Sequence, residues 1–390
     1  MQRWDAIIVG AGPAGCAAAY DLAVAGRSVL LLDRADFPRP KACAGGLTRK
    51  SLRALRYSVA PVTRTTVSSI VVAKENGQTA TLASRNPVCA MTVRQELDDF
   101  CLRQTLAVGA QFQRIGNIAA IETQSDHVIL RTNDAFFEAQ YIVGADGVHS
   151  RVRQLLWGDR PAWLRRGFAL EAQVFPENDY RSGLLFDFSP VSQGYGWIFP
   201  KRDHLNIGLY SESPAEKIDR TCLAAWIRDR CGSARVEQIT GQYLGFGADQ
   251  APPAPGRIFL VGDAGGFADP LTGEGIHGAI ASGQAAAAAI DTALREGVPA
   301  DRVFTQKTAP LRRDLRLSAS GSRWFYANLD AGFRALTTPF LRGAVIGAYA
   351  DGTRIGALAG TVRKFTKVVA RSSPHDAGMV EKGLNWPDQV

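Results

Sequence analysis

No two of the six cysteines in this 390-residue chain form a CxxC pair; Cys16, Cys43, Cys89, Cys101, Cys222 and Cys231 lie scattered. That scatter excludes the usual cysteine-rich metal frameworks, and in a reducing compartment the six read as free thiols. No uninterrupted apolar stretch of about 18 residues occurs, so no spanning helix is expected. There is no low-complexity tract and no repeat of fixed period, which excludes fibrous and solenoid classes. A glycine-rich motif already begins at Gly10, leaving no room for a secretory leader, so the expected location is the cytoplasm.

What is present has an ordinary soluble composition, 46% hydrophobic and 21% charged. The length suits two domains, or one domain with a large insertion. The net charge of +8 is concentrated: residues 301–371 hold 13 Lys/Arg against 4 Asp/Glu. Such a face suits anionic lipid or an acidic protein, and an ordinary solvated helix surface is equally open. Nucleic acid is not expected, because no matching motif accompanies the charge.

Residues Asp5–Val9 form a short apolar run, as a buried parallel strand requires. Gly10-Ala-Gly-Pro-Ala-Gly15 follows at once, then an alanine-rich helical stretch to Gly26, then a second apolar run, Ser28–Asp33, ending in an acid. In a βαβ nucleotide fold each part has a task. Gly10 makes the tight turn, Gly12 admits the pyrophosphate, and Gly15 lets helix and strand pack closely. The helix start offers free N–H groups to phosphate, and Asp33 stands at the spacing that reaches ribose hydroxyls. This first segment does not separate FAD from NAD.

Two later segments do. Tyr141-Ile-Val-Gly-Ala-Asp-Gly-Val-His-Ser150 is a strand running into Asp146-Gly147. Arg257-Ile-Phe-Leu-Val-Gly-Asp-Ala264 is a strand ending in Gly262-Asp263, followed by Ala268–Ile276 and a small-residue helix through about Ala288. Together the three segments resemble the FAD fingerprints of the flavoprotein hydroxylase superfamily. The resemblance implies that Asp263 bonds the ribityl and pyrophosphate region. It implies also that the Gly273–Ile276 turn presents a helix start to the flavin, and that Arg94 opens a helix beside the cofactor. The FAD contacts so implied are Gly10, Gly12, Pro13, Ala14, Gly15, Asp33, Arg34, Cys43, Ala44, Gly45, Arg94, Asp146, Gly147, Gly262, Asp263, Pro270, Gly273, Gly275 and Ile276. No second GxGxxG follows a later strand, so no dedicated NAD(P) domain is expected.

Two signatures narrow the family. Phe37-Pro-Arg-Pro-Lys41-Ala-Cys43-Ala-Gly45-Gly46-Leu47 and Tyr195-Gly-Trp197-Ile-Phe199-Pro200-Lys201, with Gly208 seven residues on, resemble the geranylgeranyl reductase family. That family carries a Lys-Pro-Cys-Gly-Gly-like loop and a Tyr-x-Trp-x-Phe-Pro-Lys motif. Here Ala42 and Ala44 replace the usual proline and glycine. The resemblance covers about residues 1–300. It implies an FAD-dependent reductase of carbon–carbon double bonds in isoprenoid chains.

Tyr195, Trp197 and Phe199 alternate, so their side chains share one face of a strand and line an apolar tunnel or form sheet core. Cys43, or water it orders, is the first candidate proton donor, and Tyr195 the second. The electron donor is open between NAD(P)H and a ferredoxin-like protein. The alternatives are a flavin monooxygenase or halogenase of the same superfamily, and a membrane-facing electron-transfer flavoprotein. The halogenase motif has tryptophan and isoleucine where Tyr195 and Phe199 stand.

The fold expected is α/β: a Rossmann-like FAD-binding domain (residues 1–64, 90–163 and 253–300) with an antiparallel β-sheet substrate domain (65–89 and 164–252). In the latter, a hairpin spans about 65–85, and strands cover Phe168–Val174, Gly183–Phe188, Tyr195–Phe199 and Leu205–Tyr210. A helical C-terminal region (301–371) is expected as Leu311–Leu317, Ser322–Leu336, Phe340–Tyr349 and Ile355–Val369. The last helix either lies on an anionic membrane or packs across the substrate domain. The tail, 372–390, lacks periodicity and is expected to be poorly ordered.

Overall fold

The apolar runs at the N-terminus fold as parallel strands buried on both faces, and Ile7, Ile8, Leu31 and Leu32 are fully shielded. The computed structural model describes residues 2–352, except 76, 160, 178, 179, 181, 182, 214, 254, 255 and 340. Strand Arg3–Val9 lies between Val29–Asp33 and Phe136–Gly144, parallel to both. Gln111–Arg114 extends the sheet beyond Val29–Asp33. On the other flank Phe136–Gly144 pairs antiparallel with Val128–Thr132 and, over its last residues, parallel with Ile258–Leu260. Ile118–Thr123 closes that edge. The sheet therefore gathers the ends of all three glycine-containing segments along one border.

Helix Pro13–Val24 packs against the longer helix Ile276–Glu296. Small residues make that approach close. A Cβ on Gly15 would stand 1.8 Å from the Gly10 carbonyl oxygen, so only hydrogen fits there.

The second large sheet runs Ala234–Phe246, Arg165–Pro176, Leu205–Ser211, Gly194–Pro200, Leu184–Asp187, Ser69–Lys74, Gln78–Ala83. All its pairings are antiparallel except that of Leu184–Asp187 with Ser69–Lys74. A small antiparallel sheet of Gly46–Thr48, Cys89–Thr92 and Thr63–Val67 adjoins both. The expected hairpin thus starts at Ser69, and Val67 belongs to the small sheet. Ala234–Phe246 was not anticipated; its mostly polar, half-exposed pattern masks a strand.

The C-terminal helices differ from expectation. One helix, Ala300–Ala327, runs through the anticipated break between Leu317 and Ser322. Ser318 and Ser322 are buried there, and Ser318 donates to Asp269 at 2.8 Å, so the serine-rich stretch is a packed face and not a loop. Leu329–Thr337 and Arg342–Asp351 follow. The expected helix Ile355–Val369 and the tail lie outside the described residues. No described helix is long and apolar enough to cross a membrane.

Candidate active site

A cavity of about 1130 Å³ is lined by residues of all three sheets. It exceeds the roughly 300–1,000 Å³ of common ligand pockets, leaving space for a dinucleotide and a second molecule.

At one end, helix Pro13–Val24 begins with Gly12 as its cap and no capping side chain. Its first N–H groups therefore face the cavity unsatisfied, as an anion site requires. Asp33 is held beside them: its two oxygens accept from Ala11 N at 2.7 Å and Ala35 N at 2.9 Å. Arg34 lines the same end. Asp146 and Gly147 also line it, yet the Asp146 carboxylate is turned to the start of the following helix, Arg151–Trp157. It accepts from Ser150 Oγ at 2.5 Å, Arg151 N at 2.6 Å and Val152 N at 3.2 Å. Arg153, wholly buried and not anticipated, donates to Val148 O at 2.6 Å and Ala264 O at 3.0 Å. It ties the second glycine segment to the third.

Close by, helix Ile276–Glu296 starts at Gly275, again with no capping side chain. Gly262, Asp263, Gly273, Gly275 and Ile276 line the cavity. Asp263 accepts from Gly245 N at 3.3 Å, and burial holds its carboxyl above the usual range. Two predicted contacts fall outside the lining: Gly15, packed under the first turn, and Pro270, whose carbonyl faces Ser322 at 3.4 Å.

The Cys43-Ala44-Gly45 loop also lines the cavity, held by two outside groups and one bond of its own. Cys43 N donates to Glu171 Oε1 at 2.8 Å, Gly45 N donates to Cys43 Sγ at 3.4 Å, and Lys201 Nζ donates to Ala44 O. Arg94 grips Asp98 through two bonds of 2.7 and 2.8 Å, with Arg39 3.4 Å from the same carboxylate. Lys41 Nζ donates to Gln242 Oε1. Burial pushes Glu171 up to about 6 and lowers Lys41 and Lys201 to about 8 each. None of Glu171, Lys41 and Lys201 was predicted as a site residue. The lone charged residue in the mostly apolar stretch Phe168–Val174 was the available signal for Glu171.

Tyr195, Trp197 and Phe199 share the cavity face of strand Gly194–Pro200, while Ile198 packs into a separate cluster behind it. Phe186 stands edge-on to Tyr195 at 5.2 Å and to Phe199 at 5.8 Å. Tyr349, from helix Arg342–Asp351, adds a further edge at 5.8 Å from Phe186. The Tyr195 hydroxyl donates to Thr272 O, and burial pushes its ionisation well above that of free tyrosine. Trp197 Nε1 donates to Asn206 Oδ1 at 2.7 Å. Strand register explains the spacing of the mid-chain motif: Trp197 lies directly across from Gly208, where a Cβ would stand 2.2 Å from Trp197 Cζ2. Only glycine leaves room for the indole.

The donor set fits FAD. Two uncapped helix starts in one cavity suit a pyrophosphate and a flavin edge, and Asp33 suits a ribose. Among the described residues no cluster of His, Cys, Asp or Glu suits a metal ion.

Comparisons with known proteins agree. The FAD binding domain family matches residues 3–305. An uncharacterized protein of Methanosarcina barkeri is 33% identical, over 85% of this chain and 86% of its own length. Geranylgeranyl diphosphate reductase of Rhodobacter capsulatus is 30% identical, over 77% of this chain and 78% of its own. Among solved structures, a geranylgeranyl bacteriochlorophyll reductase-like protein of Thermoplasma acidophilum superimposes with a TM-score of 0.76 at 20% identity. It covers 84% of this chain and 88% of that one, a likeness of fold.

Proposed function

The chain belongs to the FAD binding domain family of flavin-dependent oxidoreductases, and from that premise we propose that it saturates carbon–carbon double bonds of an isoprenoid chain. The aromatic wall of Tyr195, Trp197 and Phe199 carries this assignment. It is continuous, within one cavity, with the FAD-suited ends. A long apolar chain buried along such a wall lies beside the cofactor in a dry setting. The identity shared with a geranylgeranyl diphosphate reductase supports the same substrate class.

Reduced FAD supplies hydride when bound. The helix start at Pro13, with Asp33, would hold the adenosine and phosphates. The helix start at Gly275–Ile276 would hold the flavin, its dipole stabilising negative charge there. Glu171 and Lys201 fix the loop around Cys43, and Arg94 lines the same cavity. An isolated alkene is unactivated, so a proton must be placed on the second carbon. Cys43 and Tyr195 are the two candidate donors that line the cavity. The external electron donor is NAD(P)H or an acidic ferredoxin-like protein that docks on the basic surface. The enzyme works in the cytoplasm, touching the membrane that holds its lipid substrate.

Product analysis tests the assignment. Holoenzyme reduced with dithionite under nitrogen is offered geranylgeranyl diphosphate, a geranylgeranylated lipid and an isoprenoid quinone. Product heavier by two hydrogens per bond is expected from at least one. No heavier product from any of them overturns the proposal.

A further inference from the structure

Two buried hydroxyls, Tyr210 Oη and Tyr326 Oη, have no hydrogen-bond partner among the described residues. Leaving such a group empty costs about 1–3 kcal/mol, so orphans of this kind mark places that ordered water fills. Their surroundings form a path. Tyr210 stands directly across from Tyr195, with ring centroids 5.2 Å apart. Glu212 follows Tyr210 by two residues, just past the end of strand Leu205–Ser211. Ser322 and Tyr326 are four apart on helix Ala300–Ala327 and share a face. Ser322 Oγ lies 3.4 Å from Glu212 Oε2, joining that helix face to that strand side. Glu212 pairs in turn with Arg165, whose side chain is 39% exposed. Arg165, Glu212 and Tyr326 thus lie on the solvent side of Tyr210 and Tyr195, both of which line the cavity.

We propose that Glu212, Tyr326 and Tyr210, with water held between the two orphan hydroxyls, form a proton inlet that recharges Tyr195. This rests on the alkene-reductase assignment and selects Tyr195 over Cys43 as the acid. In each turnover the Tyr195 hydroxyl turns from Thr272 O, the alkene π pair takes its proton to form one C–H bond, and hydride forms the other. Tyr195 Oη regains a proton from the bridging water, the water from the phenols behind it, and the chain is refilled from solvent at Glu212. One solvent proton and one hydride are consumed per bond. Burial, and after it the neighbouring phenols and carboxylates, makes a phenolate at any of the three tyrosines costly. Tyr195 therefore releases its proton only as another arrives, which the inlet supplies.

The test uses Y210F and Y326F, which remove only orphan hydroxyls and so leave fold and FAD content intact, together with E212Q. Anaerobically reduced holoenzyme is mixed with geranylgeranyl diphosphate in H2O and in D2O. In each variant, alkene reduction slows on the order of 10- to 100-fold, less than the loss of an acid outright. KM is unchanged and the solvent isotope effect rises. A crystal structure of the holoenzyme shows ordered water within reach of Tyr210 Oη and Tyr326 Oη. Phe variants with parental rates and isotope effects, or a dry site, overturn the inlet alone. A parent enzyme that reduces no isoprenoid overturns the reductase assignment and the inlet with it.

Discussion

Replacing Gly208 by alanine breaks the aromatic wall while leaving the cofactor grip alone. The new Cβ would sit 2.2 Å from Trp197 Cζ2 and 2.4 Å from its Cη2. The shorter contact falls about 1.3 Å short of the ~3.5 Å at which carbon atoms stop repelling. The indole has to shift, and the 2.7 Å bond from Nε1 to Asn206 breaks. Overpacking costs about 1–3 kcal/mol and the broken bond about 1 more, so about 2–4 kcal/mol in sum. At the ~2 °C per kcal/mol of large domains, Tm falls by roughly 4–8 °C. Calorimetry reads the stability loss, and fluorescence titration shows FAD affinity unchanged. The isoprenoid KM rises about tenfold, equivalent to about 1.4 kcal/mol of lost binding. The double variant G208A/W197F recovers most of the stability, because the phenyl ring is shorter than the indole. A G208A enzyme with parental Tm and KM, or one that loses FAD as readily as isoprenoid, refutes the reasoning.

Glu171 gives a pH signature. Its folded value of about 6 exceeds the ordinary 4.5, so ionisation disfavours the fold by about 2 kcal/mol above pH 6. That penalty disappears as pH falls from about 6 to about 4.5. Parental stability relative to E171Q therefore declines over that window as pH rises, and a flat difference in denaturant midpoints would contradict the burial argument. Asp33→Ala removes the acceptor of the Ala11 N–H and a ribose partner. FAD affinity falls on the order of 10- to 100-fold by titration, as charge-assisted bonds of about 1.5–3 kcal/mol imply. Cys43→Ala leaves FAD bound and slows alkene reduction less than Tyr195→Phe, whose loss is on the order of 10²–10⁴-fold. Equal rates for these two variants in single-turnover mixing would dissolve the distinction between positioning loop and acid.

Local chemistry was legible in the sequence; pairings between distant segments were not. Gly10 to Asp33 spans one strand, one turn and one helix, so spacing alone carries its geometry. Alternation likewise placed Tyr195, Trp197 and Phe199 on one face. Glu171 escaped notice because its partner, Cys43, is 128 residues away in sequence. Arg153 reads as one more basic residue until the fold brings Ala264 O to it across 111 positions. Tyr349 joins the wall from a helix that packs Ile346 and Ala350 into the same cluster and that Arg49 and Arg53 hold through Asp351, at 2.6 and 3.0 Å. The helix Ala300–Ala327 was read as broken because buried serines resemble a loop when their acceptors are unknown. Asp146 shows the reverse: the motif position lines the cavity, while its carboxylate serves the adjoining helix.

The most direct test of the central claim, one cavity in which reduced flavin meets an isoprenoid alkene, is anaerobic stopped-flow absorbance of the flavin. Dithionite-reduced holoenzyme is freed of excess reductant and mixed with geranylgeranyl diphosphate or with its fully saturated counterpart. Flavin reoxidation is expected with the unsaturated compound only, at a rate that saturates with its concentration. Reoxidation by neither compound, with rapid reoxidation on admitting oxygen, would contradict the claim and favour oxygenase chemistry in the same cavity.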